Sequence, residues 1–157
     1  MRVYRLLVSS ANVEPSHLFH YLQMTSEKIA KAYLLRDSTA SLGDVAATHT
    51  VLHRFLGNFA TSPQARQSMG WSTAQSRAVN REVRVLAREV ECLAPAVDPE
   101  SHPQNAEYPW ASGDEVLCPC DYWYPTITLP SLGGTLSVFV SLVEAAIGSY
   151  QWSRPKR

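Results

Sequence analysis

The chain has no surplus of charge: fourteen Lys and Arg residues balance fourteen Asp and Glu over 157 residues. That balance excludes a global field drawing it onto nucleic acid or an anionic membrane, so any nucleic-acid site has to be a local patch. Cysteine is scarce, with Cys92, Cys118 and Cys120 as the whole complement. An odd number without a secretory leader predicts free thiols in a reducing compartment. Cys118 and Cys120 have only Pro119 between them and no second pair completes a four-ligand zinc set. Long apolar runs are missing as well. The start, MRVYRLLVSSAN, holds no stretch suited to a signal peptide, and the longest apolar segment, Leu136 to Gly148, is broken by Ser137, Ser141 and Glu144. These absences predict a soluble cytoplasmic protein with no membrane partner. No GxSxG, phosphate-binding loop or dinucleotide fingerprint occurs, so the sequence assigns no cofactor, no metal and no catalytic residue.

What is present is ordinary globular material, 45% hydrophobic and 18% charged, which excludes wholesale disorder and predicts a single domain over 1–157. Residues 1–11 read as a short leader or partial first helix, with Val3, Leu6 and Leu7 facing inward. Asn12 is an N-cap candidate and Pro15 suits an early helical position, opening a helix that runs to about Arg36 with Leu18, Leu22, Ile29 and Ala32 on one side. After the loop DSTASLGD, the spacing predicts one helix from about Asp44 to Phe59, with Asp44 as its cap. ATSPQARQSMGWS reads as a short helical excursion or loop. The clearest amphipathic helix runs from Ser72 or Thr73 to Leu93, with Val79, Val83, Leu86, Val90 and Leu93 in one row. An irregular stretch, 94–130, holds seven of the ten prolines and five aromatics, Tyr108, Trp110, Tyr122, Trp123 and Tyr124, that can anchor it on the helices. A last helix, about Ser131 to Gln151, is apolar over a wide arc, and 152–157 is a basic tail. The pattern predicts an all-α fold, an antiparallel bundle of four to five helices with a long Pro- and aromatic-rich loop before the last.

Three groups of residues stand out as candidate sites. His20, Gln23, Glu27 and Lys31 step by three, four and four along the first long helix, where they could bind a polar ligand; Glu27 and Lys31 are also a favourable pair one turn apart that supports a helix without any ligand. Arg77, Arg81, Arg84 and Arg88 line one face and are the candidate phosphate or RNA contacts, or simply the solvated side of a surface helix. Asn105, Glu107, Tyr108 and Trp110 can line a pocket near the helix ends, or anchor the loop. His49 and His53 lie one helical turn apart, a chelating spacing, but no HExxH-like carboxylate accompanies them.

The segment HYLQMTSEKIAKAYL, following AN, resembles the second helix of HEPN domains, where a Gln-x-x-x-Glu-Lys-x-x-Lys-Ala pattern recurs. THTVLHRFLGNF is similar to the family's third helix, and NAEYPW, the Pro-rich loop and LGGTLSVFVSLVEAAIGSY are similar to its end, so the resemblance covers Ala11 to Tyr150. It implies a HEPN-like helical bundle, a homodimer, and a place among ribonuclease toxins, partners of nucleotidyltransferases and non-catalytic members in prokaryotic defence or toxin–antitoxin systems. Catalytic members carry an Arg followed about four to six residues later by His. None of His17, His20, His49, His53 or His102 has such an Arg upstream, and after Arg88 the next His is His102. The front end is also shorter than a full first helix. The resemblance therefore implies a degenerate, non-catalytic protein that binds a nucleotide, RNA or a partner protein, with a divergent metal-independent ribonuclease as the alternative.

Overall fold

A computed structural model describes residues 1–10, 12–37, 39–122 and 133–150. Seven helices and one two-stranded hairpin occur among them. Helix α1 spans Arg2–Val8 and α2 Pro15–Asp37; α3 covers Leu42–Ala47, α4 Leu52–Ala60 and α5 Pro63–Met69. Helix α6 runs from Thr73 to Cys92, strands β1 (Trp110–Ser112) and β2 (Glu115–Leu117) follow, and α7 is Gly133–Ser149. None of the described helices is long and apolar enough to cross a membrane.

Local chemistry sets most of these boundaries. Ser72 accepts from the Gln75 backbone while Gln75 bonds back to the Ser72 N–H, a capping box that starts α6 where the sequence places it. Ser62 caps α5, Pro63 occupies its first position, and Gly70 closes it, so the short excursion is a helix. The helix expected over Asp44–Phe59 is two helices instead. Ser41 is the N-cap of α3 with Asp44 as its box partner, and Thr48, extended at φ −90° and ψ 123°, ends it. The β-branched residues of the THTV run fit extended backbone better than helix, and the helix resumes at Leu52. The irregular stretch is also more structured than expected, because β1 and β2 pair antiparallel from Trp110–Leu117 to Ser112–Glu115. Gly113, at φ 62°, takes the left-handed position of the two-residue turn.

The core lies where α2, α4, α6 and α7 meet: Leu22, Leu52, Leu56, Val83, Leu86, Val90, Phe139, Leu142 and Val143 are at most 1% exposed. Each such side chain contributes about 1.5–3 kcal/mol on burial. Helix α4 packs against α6, and the Arg84 stem runs over Gly57: a Cβ there would stand 2.6 Å from Arg84 Cδ, so a larger residue would require that side chain to shift. Polar ties complete the frame. Tyr33 donates to the Ala146 carbonyl at 3.0 Å, and Arg5 meets Glu144 at 2.6 and 2.8 Å, tying α1 to α7. The inward residue of α1 is Tyr4, whereas Val3 and Leu6 are exposed. This corrects the expectation from the sequence: a seven-residue helix buries only a narrow stripe, and the large ring of Tyr4 takes it.

Truncating Phe139, fully buried at the centre, is expected to cost about 3–5 kcal/mol. Urea unfolding of Phe139→Ala checks this, and a loss below about 1 kcal/mol would place the ring outside the core.

Candidate functional site

The polar row of α2 is interior. Gln23, Glu27 and Lys31 are 3%, 7% and 8% exposed, so the row faces protein along most of its length. Lys31 Nζ lies 2.6 Å from Glu27 Oε1 and donates to the Ala46 carbonyl at 2.8 Å, in the last turn of α3. Gln23 Nε2 donates to Glu27 Oε2 at 2.6 Å, and His49 Nδ1 stands 3.2 Å from Oε1. Burial alone pushes the Glu27 carboxyl upward. The Lys31 and Gln23 hydrogen bonds, with the charges of Lys31 and His49, outweigh it and hold the group below its ordinary value.

A second carboxylate is buried deeper. Glu91 of α6 is 1% exposed and receives the His53 backbone N–H at 3.0 Å, one of the orphan donors of the first turn of α4. His53 Nδ1 lies 2.7 Å from Glu91 Oε2, and Arg88 donates to the same oxygen at 3.3 Å. His49 and His53 therefore go to different carboxylates, and the chelating spacing is not used as such. The backbone between them is not helical, which turns the two rings apart toward α2 and α6. Among the described residues no group of three or more His, Cys, Asp or Glu is placed to hold a metal ion. Cys92 is buried, and Cys118 and Cys120 are free thiols near the hairpin.

Two of the sequence candidates meet. His20, at the start of the α2 row, lies 3.4 Å from Glu107 Oε1. Asn105 organises that loop: its Oδ1 accepts from the backbone N–H groups of Glu107 and Tyr108 at 2.8 and 2.7 Å, and its Nδ2 donates to the Pro103 carbonyl. The Ala106 N–H bonds the Leu93 carbonyl, docking the loop on the end of α6. Trp110 is buried, edge-on to Tyr122 at 5.2 Å, while Tyr108 stays exposed. Trp123 and Tyr124, the other two loop anchors, and the basic tail lie outside the described residues. The arginine row is divided. Arg77 and Arg81 are exposed, Arg84 lies along Gly57, and Arg88 is engaged by Glu91.

A groove that the sequence candidates do not include opens between α2, α4, α5 and the end of α7, with a volume of about 640 Å³. Tyr33, Phe55 and Phe59 supply aromatic surface, Tyr33 and Phe55 at 4.8 Å between centroids and Phe55 stacked on Phe59 at 5.7 Å. Arg36, Asp37, Arg54, Asn58 and Gln64 bring polar groups to it. The Arg36 guanidinium sits 4.2 Å over the Tyr33 ring and bonds Asp37 at 2.5 and 2.8 Å. In the sequence Phe55 and Phe59 read as one buried face. The available hint was Tyr33 and Arg36 one turn apart on α2, a spacing that permits a cation over a ring.

Because the folded chain holds the Glu27 proton more weakly than the unfolded chain, Glu27 stabilises the fold fully above its ordinary value of 4.5. That contribution is lost as pH falls through the lower folded value. Glu27→Gln is expected to flatten this acid limb, read as the urea midpoint between about pH 7 and pH 3, and Glu27→Ala to cost about 3–5 kcal/mol by stranding buried Lys31. An acid limb unchanged in Glu27→Gln would show that ionised Glu27 does not stabilise the fold.

No family model matches the sequence, and no curated protein or solved structure matches it significantly.

Proposed function

We propose that this chain is a HEPN-like, non-catalytic binding module, an antiparallel helical bundle whose ligand occupies the groove between α2, α4 and α5. The observation that carries the reading is the groove itself. Its volume of about 640 Å³ falls within the range of small-molecule sites, and its surface combines aromatic rings with a few polar groups. A flat ring system stacks on such a surface, which favours the nucleotide option among the ligand classes implied by the HEPN resemblance. The polar row of α2 is spent on internal contacts, and its partners Ala46 and His49 belong to the chain itself, so it supports the bundle rather than the ligand. A homodimer in the cytoplasm, with a nucleotidyltransferase-type partner, belongs to the same reading.

Titration of the protein with adenosine 5′-monophosphate by calorimetry is expected to show saturable binding, weakened about tenfold or more in Phe55→Ala, whose fold is checked by circular dichroism. Absence of binding, with RNA oligonucleotides equally inert, would defeat the reading.

A divergent ribonuclease remains the second reading, favoured by one arrangement. Arg88 and His53 meet at Glu91 within a single chain, and a buried carboxylate on Nδ1 is how an imidazole is oriented for proton transfer through Nε2. The binding reading expects no cleavage of single-stranded RNA in the presence of a chelator. Cleavage that disappears in His53→Ala would install the ribonuclease in its place.

A further inference from the structure

The groove distinguishes between its two arginines. Arg36 is committed, with two nitrogens on the Asp37 carboxylate and its plane over Tyr33 and, at 5.4 Å, Tyr150. Its charge is balanced by a neighbour that lines the same groove. Arg54 is exposed on α4, and its side chain makes no hydrogen bond or ion pair among the described residues. One turn on, Asn58 is exposed beside the same groove. The charged lining is therefore Arg36 and Asp37, which cancel, and Arg54, which does not.

From this charge balance we infer that Arg54 is the anion-recognising residue of the groove, and that the ligand is a ring-bearing compound with one phosphate, a nucleoside monophosphate in chemical class. The inference rests on the reading of the groove as a ligand site. The ring lies against Phe55, the half-buried aromatic of the groove, and the phosphate reaches the guanidinium of Arg54, whose planar fork matches two phosphate oxygens. Asn58 adds an amide donor at the same rim. Arg36 keeps Tyr33 in place and does not exchange Asp37 for the ligand, because that would leave the carboxylate unpaired beside an incoming anion.

The test compares adenosine and adenosine 5′-monophosphate on the wild-type chain, Arg54→Gln and the double variant Arg36→Gln/Asp37→Asn by calorimetry at low salt. The expected result is a preference of about tenfold for the monophosphate in the wild type. Arg54→Gln abolishes that preference with adenosine affinity unchanged, and Arg36→Gln/Asp37→Asn, which removes the balanced pair together, preserves it. Equal affinities in the wild type would overturn the inference while leaving the groove a ligand site. A preference that survives Arg54→Gln would overturn it in the same way. Failure of both compounds to bind would remove the groove reading and the inference together.

Discussion

Two carboxylates lie inside this helical chain, Glu27 on α2 and Glu91 on α6, and the surrounding elements are placed so that each is met by cations and donors. An uncompensated buried carboxylate costs several kcal/mol, comparable with the whole net stability of a small domain. Glu27 is met by Lys31, Gln23 and His49; Glu91 is met by His53, Arg88 and a backbone N–H. The partners come from α2, α4, α6 and the segment linking α3 to α4, so satisfying the charges also fixes how those elements lie on one another.

The same contacts account for the break between α3 and α4. Ending one helix and starting another leaves carbonyls at one end and N–H groups at the other without helical partners. Lys31 takes the Ala46 carbonyl near the end of α3, and Glu91 takes the His53 N–H at the start of α4. Each terminus thus receives a charge of the sign its dipole favours. The paired residues come from neighbouring helices, so the interruption that the β-branched THTV run favours locally is also held by tertiary structure. The freed segment carries His49 between the helices, and its Thr48 and Val51 form part of the groove wall.

The groove and the buried row divide the surfaces of α2 between them. Glu27 and Lys31 turn toward α3 and the interior, and Ala30, Tyr33, Arg36 and Asp37 turn toward the groove. A rigid frame on one side of α2 holds Tyr33 and Arg36 in position on the other.

Much of this was legible in the residues themselves. The all-α class, the extent of α2 and α6 and the apolar row from Val83 to Leu93 follow from periodicity and capping, which are local. The importance of the Glu27–Lys31 pair was visible as an i,i+4 spacing. Its burial was not, because spacing shows that two groups meet but not what covers them. The role of Glu91 was not legible in α6 alone, since its partner His53 lies thirty-eight positions away. The split of α3 from α4 is held in place by charges brought from α2 and α6, and the groove depends on Tyr33, Phe55 and Phe59 arriving at one edge without filling it. Local pattern determined which segments are helical and which faces are apolar. Only tertiary structure decided which charges became internal and which aromatic surface stayed open, because both depend on contacts between residues far apart in the chain.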